Sequence, residues 1–168
     1  TRSAAVSGVR NLVGTADSFS LTNTGNAVAT VSDLRASGNV TVVDGTDLTL
    51  SGNINGSNLF FEVAKSGGVL TFGSFSTSSF SSEIPIVSAI SASVTASSGG
   101  RVSLVADNIS VAVSSSTITA PSGTVELAPV SAIDTSLLGS AASGKLVVGQ
   151  TLLSLIRNGI STLVVGGF

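Results

Sequence analysis

Short strands repeat along this chain at a spacing too regular for a single compact sandwich. Within residues 123–167 three units share one form: Gly123-Thr124-Val125-Glu126-Leu127, Gly144-Lys145-Leu146-Val147-Val148 and Ser161-Thr162-Leu163-Val164-Val165. Each alternates with period 2, as a strand with one buried face does, and each is closed by a Gly or Pro turn. Units recurring roughly every 17 to 23 residues predict a stack in which each strand is supported by its neighbours. Residues 39–53 carry the same pattern. Val40 and Val42 face one way and Thr41 the other; after the Asp44-Gly45 corner, Leu48 and Leu50 point inward with Thr49 out. Residues 100–113 repeat that layout and place Val102, Leu104, Ile109, Val111 and Val113 in the core. Residues 59–80 differ, holding five of the seven Phe, with Gly67-Gly68 dividing them into two arms of a turn or hairpin. The Ser-rich residues 74–82 predict a loop, and strand character resumes over 84–95. Residues 152–156 fit one helical turn or a strand equally well at this length.

Stacked in this way, the units predict an all-β fold: a right-handed parallel β-helix of about seven coils with irregular loops, its strands about 4.8 Å apart along the stack. The array spans residues 1–168 as one unit. Composition agrees, because hydrophobic residues make up 42% and charged residues only 10%, which leaves Ser, Thr, Asn and Gly to cover the surface. Parallel strands buried on the inside need few charges there. With no Cys, a disulfide framework is excluded, and long ladders of backbone hydrogen bonds must supply the stability instead. A net charge of −2 gives no basic stripe, so no nucleic-acid partner is expected. No apolar run reaches the roughly 18 residues of a membrane helix. The first residues lack a charged start followed by an apolar core, so the chain reads as a mature fragment.

The wording of residues 123–167 resembles the haemagglutinin-type repeats of filamentous haemagglutinin-like exoproteins, the two-partner secretion family of Gram-negative bacteria. Residues 123–129 match that family's G-T-V-x-L-A-P, Leu138-Gly139 its leucine-glycine, 152–156 its apolar segment and 162–166 its final strand. The segment Leu152-Leu153-Ser154-Leu155-Ile156-Arg157 departs from the pattern, being apolar where the family is usually acidic. The specific match covers about a quarter of the chain. What the resemblance implies is a secreted, cell-surface adhesin, exported through an outer-membrane partner and folding outside the cell.

Candidate chemistry is sparse. Asp44-Gly45-Thr46-Asp47 could offer hard oxygens to Ca²⁺, but Asp-Gly is first of all a β-turn. With neither His nor Cys, a Ser-His or Cys-His nucleophile is impossible, which leaves Ser-Lys through Lys65 or Lys145. Asp33 and Asp107 are the carboxylate pair that a β-helical polysaccharide lyase or hydrolase would need, yet the nine acids fall at turns without forming a column. Trp and Tyr, the usual platforms of carbohydrate clefts, are missing. If Val102, Val125 and Leu146 stack, then Arg101, Thr124 and Lys145 form an outward column, and Glu126, beside Ser103 and Val147, makes a weak exposed pair with the cations. Asn39, Asn53, Asn55, Asn58 and Asn108 read as corner residues tolerant of φ > 0. Thr41, Thr49, Thr71, Thr117 and Thr119 face outward without fixed coil offsets, against a water-ordering array.

No catalytic, cofactor or metal residue is therefore assigned and no cofactor is expected. The expected function is a non-enzymatic segment of a secreted adhesin or surface filament, with a host or cell-surface glycan or protein as partner. Two alternatives are a structural subunit stacking end to end into a filament and a β-helical lyase or hydrolase. The apolar terminal residues Leu163, Val164, Val165 and Phe168 predict self-association through the coil ends.

Overall fold

The computed structural model describes residues 4–78, 86–139 and 144–166. Two sheets of parallel strands, numbered in chain order, carry the fold. One contains β1 (Val9–Ala16), β3 (Val28–Ala36) and β5 (Leu48–Gly56), and continues along two branches. Through the first half of β5 it reaches β7 (Val69–Phe72) and then β12 (Asn108–Val111); through the second half it reaches β10 (Ala92–Ala96) and β13 (Thr117–Thr119). The other sheet runs β2 (Phe19–Leu21), β4 (Val40–Asp44), β6 (Leu59–Val63), β11 (Arg101–Val105), β14 (Thr124–Ala128) and β17 (Thr162–Val165). From β1 to β7, and again from β10 to β12 and from β13 to β14, the chain crosses from one sheet to the other between successive strands. That is how parallel neighbours are joined here without crossover helices.

Pairing in register turns the sequence alternation into columns of like side chains. On the six-stranded sheet, Phe19, Val40, Leu59, Val102, Val125 and Leu163 are consecutive partners. Two residues on, Leu21, Val42, Phe61, Leu104, Leu127 and Val165 form the second inward column. The opposite sheet supplies Leu12, Val31, Leu50, Phe72 and Val111, and beside them Ile54, Val94 and Ile118. One hydrophobic core joins the two sets, and Val42, Leu50, Phe61, Phe72, Leu104 and Leu127 are fully buried. Each such side chain contributes about 1.5–3 kcal/mol of burial. Gly123 heads β14 because a Cβ there would collide with the Gly100 carbonyl oxygen of the strand entry beneath.

Three expectations are corrected. Of the two readings of the Phe-rich arms at 59–63 and 69–72, the turn holds, closed by the Gly68 amide on the Lys65 carbonyl, and the hairpin does not, since β6 and β7 lie in different sheets. The hairpin comes later. Instead of a Ser-rich loop, β8 (Ser74–Ser78) pairs antiparallel with β9 (Ile86–Ile90), an excursion at the point where β5 passes from Leu50 to Gly52. Ser and Thr suit an exposed ribbon as well as a loop, so composition hid it; Phe80 and Phe168 lie outside the described residues. Leu146 does not stack on Val125. Lys145–Val148, β16, pairs with β15 (Asp134–Leu137), and the partner of Val125 is Leu163. Two units with the same local pattern competed for one position, and only the path of residues 129–161 decides between them. Residues 152–156 do include helix: α1 spans Gln150–Leu155, buries Leu152 and Leu155 and hands on to an isolated bridge between Ile156 and Ile118.

Candidate functional site

The outward face of the six-stranded sheet holds the densest group of polar side chains. Between the two inward columns runs an outward one, Ser20, Thr41, Phe60, Ser103, Glu126 and Val164, each the register partner of the next. Thr41 and Phe60 are half-buried, whereas Ser103 and Glu126 are buried at 3% exposure each. Beside this column Asn58 Nδ2 donates to Asn39 Oδ1 at 2.9 Å, and the Arg101 amide donates to Asn58 Oδ1 at 3.0 Å. Apart from Ser20 and Val164, these residues line a shallow groove of about 260 Å³ with Glu126 at one end.

Burying a carboxylate is unfavourable unless it is paired and hydrogen-bonded. Glu126 Oε2 meets that requirement three times over: Arg101 Nη2 lies at 2.5 Å, Arg101 Nε at 3.2 Å, and the Ser103 hydroxyl donates at 2.7 Å. Arg101 Nε also donates to Ser103 Oγ at 2.9 Å, which fixes the hydroxyl proton on the carboxylate side. The weak exposed pair expected for Glu126 thus has a buried carboxylate facing a half-exposed guanidinium, and among the described residues its cation is Arg101 alone. Lys145 instead faces Asp134 at 3.6 Å in the separate two-stranded sheet. Position 124 keeps its place above Arg101, followed by Thr162 rather than Lys145, and Val164 takes the place given to Val147.

The acids elsewhere fasten one passage of chain to the next. Asp44 is fully buried and accepts the Val28 amide at 2.8 Å and the Thr46 amide and hydroxyl at 2.7 and 2.6 Å. Asp47 accepts the Val69 amide at 3.0 Å and faces Lys65 at 3.3 Å. The oxygens that a Ca²⁺ loop would offer are therefore turned to protein donors. Asp33 accepts the Asn53 amide at 3.1 Å, and Asp107 accepts the amides of Gly67, Val130 and Ser131 at 2.8, 3.1 and 2.7 Å. The two share no partner, so the supposed carboxylate pair is two separate corner fasteners. Burial pushes the Asp107 carboxyl up, but the Ser131 hydroxyl and amide, with the amides of Gly67 and Val130, outweigh it and hold the group below its ordinary value.

Other surface residues also differ from expectation. None of the five Asn has positive φ; the non-glycine residues that do are Asp33, Ser122 and Leu138 among the described residues. Asn39 and Asn58 stack through their side-chain amides, which sequence spacing shows once the register of Val40 on Leu59 is known. Some threonines stack, although at unequal sequence offsets, as expected. Asn11, Thr30, Thr49, Thr71 and Ser110 are successive partners, as are Ser93 with Thr117 and Thr95 with Thr119. Comparison of the chain with family models, curated proteins and solved structures gives no match.

Proposed function

We propose that this chain is a right-handed parallel β-helix forming one stretch of a secreted, non-enzymatic adhesin or surface filament of the haemagglutinin-repeat type. One observation carries the reading: the chain passes repeatedly between two parallel sheets, and the six-stranded ladder from β2 to β17 continues in register without a shift. On this reading one passage through both sheets is one coil, and the second sheet holds six strands among the described residues. Right-handed winding follows from the strong preference of parallel strand connections for that hand. The repeat residues have structural reasons in this arrangement. Residues 123–128 supply the Gly of close approach and strand β14, and 162–165 are the strand that lies directly on it. Export through an outer-membrane partner and display at the surface of a Gram-negative cell belong to the same proposal, on the strength of the resemblance.

The acids support the non-enzymatic form over a lyase or hydrolase. Asp33, Asp44, Asp47 and Asp107 bind backbone amides, and the groove contains one carboxylate, tied to Arg101. The filament-subunit reading has one observation in its favour: β17 pairs with β14 on one edge and, among the described residues, with no strand on the other. Attachment is tested by coating fluorescent beads with the chain and counting those retained on cultured cell monolayers under flow. Retention several-fold above albumin-coated beads is expected, and retention equal to albumin rejects the adhesin reading. Release of reducing sugar or unsaturated uronate from common polysaccharides would favour the enzyme instead.

A further inference from the structure

We infer that the groove over β4, β6 and β11 binds a short stretch of neutral glycan. The inference rests on the attachment reading and names the class of ligand it would use. Its floor is the outward column Thr41, Phe60, Ser103 and Glu126, which crosses four strands and so extends about 14 Å, room for roughly two or three pyranose rings in line. Strands β4, β6 and β11 are paired on both edges, so their backbone groups are already used and the groove cannot take an extra strand. Recognition must therefore come from side chains, which disfavours an extended peptide that depends on main-chain pairing.

Those side chains match a sugar. Phe60 is half-buried between Thr41 and Ser103 and offers a ring against which the C–H face of a pyranose can lie. Asn39 and Asn58 are tied to each other by a hydrogen bond between their side-chain amides, leaving further amide donors and acceptors for hydroxyl groups. Glu126 is the most specific element. Its Oε2 is taken by Arg101 and Ser103, while Oε1 receives no hydrogen bond from the described residues, and Glu126 is among the residues that line the groove. A buried charged acceptor with a free oxygen is suited to a hydroxyl donor and not to an anion. Arg101 cancels its charge, and Asn39, Thr41, Asn58, Phe60 and Ser103 are uncharged, so the ligand that fits is neutral.

Amide chemical-shift titration of the ¹⁵N-labelled chain tests this with four probes: cellohexaose, maltohexaose, N-acetylchitohexaose and a heparin-derived hexasaccharide, beside a Val/Thr-rich decapeptide. A neutral oligosaccharide is expected to shift the amides of Thr41, Phe60 and Ser103, with binding weakened at least about tenfold by both Glu126→Gln and Phe60→Ala. Phe60→Ala leaves the buried core untouched, so its melting curve should overlay the parent's even if Glu126→Gln loosens the sheet. Binding of heparin hexasaccharide or peptide alone, no shift with any neutral probe, or equal affinity in Phe60→Ala would each overturn the inference. Bead attachment that survives both substitutions would sink the groove while leaving the adhesin reading intact. Saccharide binding without bead attachment would do the reverse.

Discussion

At the scale of single residues, the inward positions follow alternation and the outward ones do not all follow solvent. Leu104 is fully buried between Phe61 and Leu127, as its place in the alternation predicts. Ser103 points the other way and yet is 3% exposed, because Glu126 and Arg101 close over it. Leu104→Asp places an unpaired carboxylate in the core and should destabilise by several kcal/mol. Ser103→Asp, which alternation alone would make silent, sets a second carboxylate against Glu126 and should destabilise by about 1–3 kcal/mol. Thermal melts of the two variants check both, and a silent Ser103→Asp would mean that the Arg101–Ser103–Glu126 group is not formed. Asp107 gives a pH signature. Its carboxyl is held below the ordinary value in the folded chain, so its contribution is complete above the unfolded value of about 3.9 and is lost as pH falls through the folded one. Asp107→Asn should lower stability by about 1–3 kcal/mol at pH 7 and reduce the loss of stability below about pH 4. Urea unfolding at pH 7 and pH 3 measures this, and the same difference from the parent at both would refute the carboxylate's role.

Among elements, strand existence was legible and strand partners only in part. The alternation at residues 40–42, 48–50, 102–104 and 125–127 reads straight through to β4, β5, β11 and β14, because one buried face imposes period 2 wherever the core is. Which strand lies on which is a long-range choice. Residues 145–148 and 162–165 present equivalent local patterns, and the decision rests on contacts made by the intervening chain, including the Asp107 carboxylate that holds Val130 and Ser131. The groove was legible as residue types but not as a site, since Asn39, Asn58 and Arg101 become neighbours only once β4, β6 and β11 are in register. The β8–β9 hairpin was hidden because its Ser-rich sequence suits ribbon or loop. It leaves after Phe72 and returns before Ala92, where β5 needs only Ser51 between the equivalent residues Leu50 and Gly52. Replacing residues 74–91 by a direct Gly73–Ala92 link, which leaves one residue opposite Ser51, should therefore keep the fold, with a Tm shift of less than about 5 °C. Loss of cooperative unfolding in that variant would show the hairpin to be integral to the sheet.

At the scale of the whole molecule, the same ladder that stabilises the stack leaves one side of β17 unpaired among the described residues. β17 carries Leu163, 39% exposed, with Val164 and Val165 beside it and no charge on the strand. Exposed apolar edges are templates for pairing, and a contact between the two different ends of a stack propagates instead of closing. The isolated chain should self-associate with rising concentration, and Val164→Lys should suppress this with its melting curve unchanged. Light scattering that stays monomeric for the parent chain would show the edge to be covered. The account stands or falls on the parallel, in-register ladder Val40–Leu59–Val102–Val125–Leu163. Nuclear Overhauser contacts in the 168-residue chain test it directly. The expected result is a run of methyl contacts linking those five residues in order, with strong Hα–Hα cross-peaks, the mark of antiparallel pairing, among the described strands only between β8 and β9. Strong Hα–Hα cross-peaks between β11 and β14, or methyl contacts from Val125 to Leu146 in place of Leu163, would contradict it.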